Sequence, residues 1–320
     1  MGMERSRQGT SRETRLTYAK VIVNPSAGAG KTAKVWPDVL ATLRKSGLDF
    51  DYDLTTARGQ TTEIARIAAV QGYKLVVSVG GDGTANEVAN GLFQSGCLDK
   101  VALGIVATGT VCSFVRSLGI VQDYSGSSPF VIGRGSKVID IGVVQCRNGG
   151  QLVKRFFVNE ASVGFPAEIA DAWTSLPGHF GHRINLGLRA IAGYGCLAIH
   201  RNKRVRLCVE NEVESVSTCA IVVANGQYFA DGMLIAPHAN LDDQLLDMIV
   251  FEGMSKTYLL KMRPALYDGS HIGLSKVKER KIATITVESD EQLLVETDGE
   301  IIGEAPASFS LIPSALTIMV

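Results

Sequence analysis

A nearly unbroken apolar run, Leu75-Val76-Val77-Ser78-Val79, passes straight into Gly80-Gly81-Asp82-Gly83-Thr84, and a helix-forming stretch, Ala85 to Leu92, follows without a loop. That order predicts a strand, a tight glycine turn and a helix. A continuously apolar strand belongs in a parallel sheet covered on both faces. The glycines let backbone approach a ligand closely, and the helix start behind them presents N–H groups to an anion. The stretch therefore constrains both the architecture, α/β, and the ligand class, a phosphate. Thr84 and Glu87 have the T-x-x-E spacing of a capping box, which predicts that Thr84 caps the helix and Glu87 bonds back. Asp82 has no place in such a cap. A carboxylate beside phosphates needs a cation between them, so Asp82 is expected to face Mg2+, directly or through water, if a nucleotide binds here.

Strand and helix alternate from about Lys20 to Ser127. Val21-Ile22-Val23 exits into Asn24-Pro25-Ser26-Ala27-Gly28. Val35, Val39, Leu40 and Leu43 recur at helical spacing. Phe50, Tyr52 and Leu54 alternate as a strand, and Ile64, Ile67 and Ala68 mark a further helix. Leu103 to Val106 gives a fourth strand, ending at Ala107-Thr108-Gly109-Thr110. The pattern predicts a three-layer α/β domain with a parallel sheet over residues 20–135. Beyond it, strand-like runs dominate: Val138 to Gln145, Leu152 to Val158, Arg204 to Val209, Thr218 to Ala224, Leu245 to Phe251 and Ile282 to Val287. They predict a mostly antiparallel β-sandwich domain over residues 136–320. The last strand, Ala315 to Val320, fits either domain. The apolar stretch Ile184 to Ile199 reads as a helix, either in the core, as a wall for an apolar ligand, or as a membrane-facing element.

Composition narrows the function classes. A chain of 320 residues with 46% hydrophobic content suits two domains with real cores. The 32 Lys and Arg balance the 32 Asp and Glu, which argues against nucleic acid as a partner. The six cysteines lie at no metal or redox spacing and read as free thiols of a reducing, cytoplasmic compartment. Residues 1–19 are polar and Arg-rich, a disordered tail with no signal-peptide core. No stretch reaches the roughly 18 consecutive apolar residues of a spanning helix.

Three further stretches carry candidate chemistry. Asn24 to Lys31 is glycine-rich and ends in a cation, but lacks the spacing of a P-loop. Asp298-Gly299-Glu300 sits between strand-like runs, where Asp-Gly is also what a hairpin turn requires. Asn240 to Asp247 holds three acids that suit a hard cation or a solvated turn.

Taken together, these stretches resemble the diacylglycerol kinase catalytic-domain family, which includes bacterial lipid kinases and sphingosine kinases. The resemblance runs from Lys20 to Val320. It rests on Asn24 to Gly28, Gly80 to Leu92, Gly109-Thr110 with Phe114 and Arg116, Asn225-Gly226, Ala236-Pro237, Asp243 to Asp247, and Asp298-Gly299-Glu300. It implies transfer of the ATP γ-phosphoryl group to a lipid hydroxyl, such as diacylglycerol or a sphingoid acceptor, in a cleft between the domains. It implies nucleotide contacts at Asn24, Thr55, Gly80, Gly81, Asp82, Gly83, Thr84, Ala85, Asn86 and Thr110. Glu300 would be the catalytic base, with Asp298 and Asp82 as partners, and a structural Mg2+ held by a carboxylate and main-chain oxygens would sit at Asn240, Asp243 and Leu245. The enzyme would work in the cytoplasm, peripherally and transiently at a membrane surface, and a homodimer is left open.

The family usually reads Gly-Thr-x-Asn-Asp-Phe-x-Arg where this chain has Cys112 and Ser113 in place of Asn-Asp. Asp231 and Gln244 stand where glycine is common. The rivals are a weakened relative that binds lipid or nucleotide without catalysis, and a soluble-substrate kinase similar to NAD kinase, which shares the G-G-D-G-T loop. The D-G-E turn and the pattern from Asn225 to Asp247 argue against the latter.

Overall fold

The computed structural model describes residues 19–57, 59–109, 112–120, 135–175, 182–210, 212–230 and 232–320. Almost all of the expected N-terminal tail lies outside them, as do Thr110 and Asp231.

The first half alternates β1 (Ala19–Val23), α1 (Lys31–Lys45), β2 (Phe50–Leu54), α2 (Gln60–Gln71), β3 (Leu75–Gly80), α3 (Asp82–Ser95), β4 (Ala102–Ala107) and α4 (Ser113–Ser117). The strands are parallel in the order β2–β1–β3–β4. Period-two alternation sends Val21, Val23, Val77 and Val79 to one face, where Trp36, Val39 and Leu43 of α1 cover them. Ile22, Val76, Leu103 and Ile105 take the other face, under α2 and α3. Gly91 lets those two helices touch: a Cβ there would stand 2.2 Å from the Thr62 carbonyl oxygen. Next to it, fully buried Leu92 contributes roughly 2–3 kcal/mol.

The second half comprises β5 (Ser136–Asn148), β6 (Gln151–Phe157), β7 (Glu160–Gly164), α5 (Phe165–Thr174), α6 (His182–Ile199), β8 (Lys203–Val209), β9 (Glu212–Ala224), β10 (Tyr228–Phe229), β11 (Met233–Leu234), β12 (Leu246–Glu252), α7 (Lys256–Met262), α8 (Ala265–Asp268), β13 (Val277–Ile282), β14 (Ile285–Glu288), β15 (Leu294–Thr297) and β16 (Glu300–Met319). Antiparallel pairing runs β9–β7–β15–β16–β14–β8 and returns to β9, so the sheet folds over on itself like a sandwich. Phe157, Leu207, Ile221, Leu246, Val295 and Phe309 fill the space between its layers. The long last strand belongs to both halves: its far end pairs with β5 and runs parallel to β4 at Ile318 and Leu103.

Two expectations change. The run Ile282 to Val287 is not one strand; it is broken at residues 283–284, between the end of β13 and the start of β14. The apolar stretch is a helix, α6, but not a core helix. Among its described side chains only Leu197 is buried, and Ile191, Tyr194 and Ile199 are 69%, 56% and 79% exposed. No helix among the described residues is long and apolar enough to cross a membrane.

Candidate active site

The four parallel strands end on one edge of their sheet. β1 exits into Asn24–Gly30, β2 into Thr55, β3 into Gly80-Gly81 and β4 into Thr108-Gly109. The strand order places the topological switch between β1 and β3, where open α/β sheets leave a crevice. The Gly80 carbonyl accepts the N–H groups of Thr108 at 2.8 Å and Gly109 at 3.1 Å, which stitches two exits together. A Cβ on Gly109 would stand 2.6 Å from the Gly81 Cα, and one on Gly80 would stand 2.3 Å from Thr84 Oγ1. Packing therefore demands glycine at 80 and 109. At Gly83 the space is open.

α3 begins earlier than the capping box predicts. Gly81 is its N-cap, in an extended conformation with no side-chain cap, and Asp82 is its first residue. Thr84 lies in the first turn, its N–H bonded to the Gly81 carbonyl at 3.0 Å. Its hydroxyl accepts from Asn24 Nδ2 at 3.2 Å, tying the β1 exit to α3. Among the described residues, the N–H groups of Asp82 and Gly83 have no acceptor. The start of α1 differs, because its loop consumes its own donors: Lys31, Thr32 and Ala33 donate to the carbonyls of Gly28, Ala27 and Pro25. The anion-binding donors are thus those of α3. Ala85 and Asn86 are buried behind them. Thr55 closes onto β1, with its N–H 2.8 Å and its hydroxyl 3.3 Å from the Val23 carbonyl.

The Asp82 carboxylate is anchored within the fold. Its oxygens accept the N–H groups of Ser113 at 2.8 Å and Phe114 at 3.0 Å, so it braces the start of α4. Burial pushes this carboxyl up, and the two N–H bonds pull it back. The departure at Cys112 and Ser113 leaves the brace intact, because it uses main-chain donors. Cys112 takes a left-handed backbone (φ 53), and burial together with the Asp82 charge pushes its thiol to about 12. It is a neutral filler at physiological pH. The Ser113 hydroxyl donates to the Ala230 carbonyl at 2.9 Å. Lys31 and Arg116 are exposed cations whose charge reaches Cys112, and neither has an ion-pair partner among the described residues.

The D-G-E turn faces this loop from the second half. Asp298 (φ 45) and Gly299 (φ 87) form the two-residue left-handed turn of a hairpin between β15 and β16. The Asp298 side chain turns inward. One oxygen accepts the N–H groups of Asn159 at 3.1 Å and Glu160 at 3.0 Å; the other accepts Val158 N–H at 2.9 Å and Asn86 Nδ2. Burial raises this carboxyl to about 7, the nearby Glu296 adds to the rise, and the main-chain donors oppose it. Asn86 also donates to the Phe156 carbonyl at 3.1 Å, and Asn90 Nδ2 reaches the Asn86 side-chain oxygen and the Phe156 carbonyl, each at 2.9 Å. One face of α3 is thereby fixed to β6 and to the turn. Glu300 opens β16 with 21% of its side chain exposed, 3.4 Å from the Arg155 guanidinium.

Sequence reasoning did not single out Glu160 and Glu296, which lie buried behind Asp298. Glu296 accepts Ser162 Oγ at 2.6 Å and Gly299 N–H at 2.9 Å. Burial drives both carboxyls up, and the charge of Glu296 raises Glu160 further. Lys31 was noted after its glycine-rich turn and Arg116 within the family motif, but neither was given a place in the site. Asn225-Gly226 finds its reason here: a Cβ on Gly226 would stand 2.2 Å from Asn159 Oδ1.

The expected Mg2+ ligands lie at the far side of β5. The Asp243 carboxylate receives Lys281 Nζ on one oxygen and the Leu245 N–H, at 3.2 Å, on the other. The Leu245 N–H points into the carboxylate, and Asn240 lies in the same turn. Gln244 adopts the left-handed backbone (φ 64) that explains glycine's frequency there. A donor set already holding an ammonium does not fit a divalent cation.

Comparison with known proteins agrees with this fold. Residues 18–144 match the diacylglycerol kinase catalytic domain, and residues 168–320 match the YegS C-terminal NAD kinase beta sandwich-like domain. Curated proteins named diacylglycerol kinase from Staphylococcus haemolyticus and Staphylococcus saprophyticus are each 27% identical over 295 residues. The match covers 91% of this chain and 84% and 91% of theirs. A crystal structure described as a diacylglycerol kinase from Bacillus anthracis superposes with a TM-score of 0.68 at 20% identity, covering 96% of this chain and 98% of that one. At that identity the likeness is one of fold.

Proposed function

Because the chain belongs to the diacylglycerol kinase catalytic-domain family, we propose that it transfers the γ-phosphoryl group of ATP to a lipid hydroxyl. The observation that carries this reading is the meeting of two chemistries across one contact. The start of α3 offers unspent N–H donors to a phosphate, and through Asn86 and Asp298 the same helix holds the turn that bears Glu300.

In this reading the triphosphate lies against the N–H groups of Asp82 and Gly83, with Lys31 and Arg116 balancing its charge. Phosphoryl transfer needs positioning and charge neutralisation more than covalent help. Asn24, Thr84 and the Gly80–Gly81 turn shape the loop, and Thr55 flanks the nucleotide. Mg2+ bound with ATP would supply further neutralisation of phosphate charge, and Asp82, whose carboxylate also braces α4, would be the residue beside it. The acceptor hydroxyl attacks the γ-phosphorus, its proton passes to Glu300, and the bond to the β-phosphate oxygen breaks to release ADP. Asp298 positions the turn. The exposed Ile191, Tyr194 and Ile199 of α6 would meet a cytoplasmic membrane surface or the acceptor's acyl chains.

The test is phosphate transfer from labelled ATP to diacylglycerol, monoacylglycerol, ceramide and sphingosine in mixed micelles, with NAD as a soluble comparator. Transfer to at least one lipid, lost by more than about a hundredfold in Glu300→Gln at unchanged ATP affinity, is expected for a general base. A folded protein that binds ATP but phosphorylates no lipid would sink the proposal. Transfer to NAD alone would redirect it to a soluble acceptor.

A further inference from the structure

We infer that the acidic turn before β12 is balanced by an ammonium of the chain itself, Lys281, in place of a divalent metal. Lys281 lies on β13 directly across from Asp247 of β12. From there its Nζ contacts the Asp243 carboxylate, lies 3.6 Å from the Asp247 carboxylate, and reaches the His238 carbonyl at 3.4 Å. Two carboxylates and a main-chain oxygen are the donor chemistry of a hard-cation site, and here the cation is covalently attached. Asp247 makes the need concrete. Its side chain is 1% exposed, neither oxygen has a hydrogen-bond partner among the described residues, and Lys281 is its ion-pair partner.

The turn's backbone is also held without metal. Buried Asp140 accepts the N–H groups of Gln244 at 2.6 Å and Ser314 at 2.7 Å, and its own N–H goes to the Leu241 carbonyl at 2.6 Å. Asp243 spends its second oxygen on the Leu245 N–H. Asp242 pairs with Lys137 at 3.2 Å. Asp242, Asp243 and Asp247 thus meet two lysines, while buried Asp140 meets two main-chain N–H groups, one of them that of the left-handed Gln244. A divalent ion entering this turn would have to strip Asp243 of its ammonium and then sit beside that positive charge. The inference goes beyond the kinase reading and stands or falls without it, because its test reads metal binding and stability.

The full chain, stripped of metal, is titrated with Mn2+ while free Mn2+ is followed by electron paramagnetic resonance, in parallel with Asp243→Asn. Equal Mn2+ uptake by both proteins is expected. One additional saturable Mn2+ in the wild type would overturn the inference, whether or not any lysine variant folds. In EDTA, Lys281→Met is expected to melt roughly 3–8 °C below the wild type, because Asp247 is left buried and unpaired. A Lys281→Met protein that melts with the wild type in EDTA would equally refute the role of the ammonium.

Discussion

Asn86→Ala and Asp298→Ala remove opposite halves of one contact, and the structure assigns them different costs. In Asn86→Ala every group left behind keeps a partner. The Phe156 carbonyl still accepts from Asn90 Nδ2 at 2.9 Å, and Asp298 keeps the Val158 N–H at 2.9 Å. Asn90 Nδ2 still reaches the main-chain carbonyl of residue 86 at 3.0 Å. The loss is then three hydrogen bonds, one of them to a carboxylate, or about 3–4 kcal/mol. In Asp298→Ala the N–H groups of Val158, Asn159 and Glu160 lose their acceptor together in a buried site. At about 1–3 kcal/mol for each orphan, the total is on the order of 5 kcal/mol. The two tryptophans allow each half to be read alone, since Trp36 lies in α1 and Trp173 in α5. Urea titrations in Trp173→Phe and Trp36→Phe backgrounds follow the halves separately. Coincident midpoints are expected in the parent proteins, separated midpoints once Asn86→Ala cuts the tie, and the larger loss in Asp298→Ala. Equal losses in both variants, or midpoints that stay together in Asn86→Ala, would refute the argument that this contact couples the halves.

Three other perturbations follow from the same geometry. Gly80→Ala places a Cβ 2.3 Å from Thr84 Oγ1, whereas Gly83→Ala meets open space. The first should lower stability by about 1–3 kcal/mol, and the second should leave melting unchanged while weakening ATP binding in a calorimetric titration. Ser113→Asp sets a carboxylate against the Ala230 carbonyl, where the hydroxyl now donates, beside the Asp82 charge. It should destabilise by about 2 kcal/mol or more in urea, against roughly 1 kcal/mol for Ser113→Ala. For pH, Asp298 stands at about 7 in the fold against 3.8 when free, and Glu160 and Glu296 are raised with it. The folded state therefore holds more protons than the unfolded chain across this window, so stability is highest at its acid end and falls as pH rises towards 7. Urea midpoints from pH 5 to 8 should decline in the wild type and decline less in Glu160→Gln.

The parallel sheet was legible because its signal is local. Apolar runs of strand length, each closed by a glycine turn, announce β1, β3 and β4 one at a time. The start of α3 was misread because Thr84 and Glu87 have cap spacing, yet the extended Gly81 allows the helix to begin earlier. Spacing cannot show which residue goes extended. The Glu160–Glu296 pair was invisible for a different reason. Along β7 and β15, Ala161, Val163 and Val295 point into the sandwich, so alternation sends Glu160, Ser162 and Glu296 to the other face. In a sheet with one wet face, those are surface residues. Here that face is covered, and burial by a distant element leaves no mark on a short strand. Lys281 shows the same limit: its partners Asp243 and Asp247 precede it by a whole strand and more, and only the β12–β13 register joins them.

The strand β16 has a consequence for how the protein is made. Leu103 of β4 is flanked on one side by Val76, already synthesised, and on the other by Ile318. A ribosome that has finished β4 has therefore built a sheet with a bare apolar margin. That margin stays open through synthesis of the entire sandwich. Nascent chains halted anywhere in this interval should be the natural clients of chaperones that recognise unpaired strands.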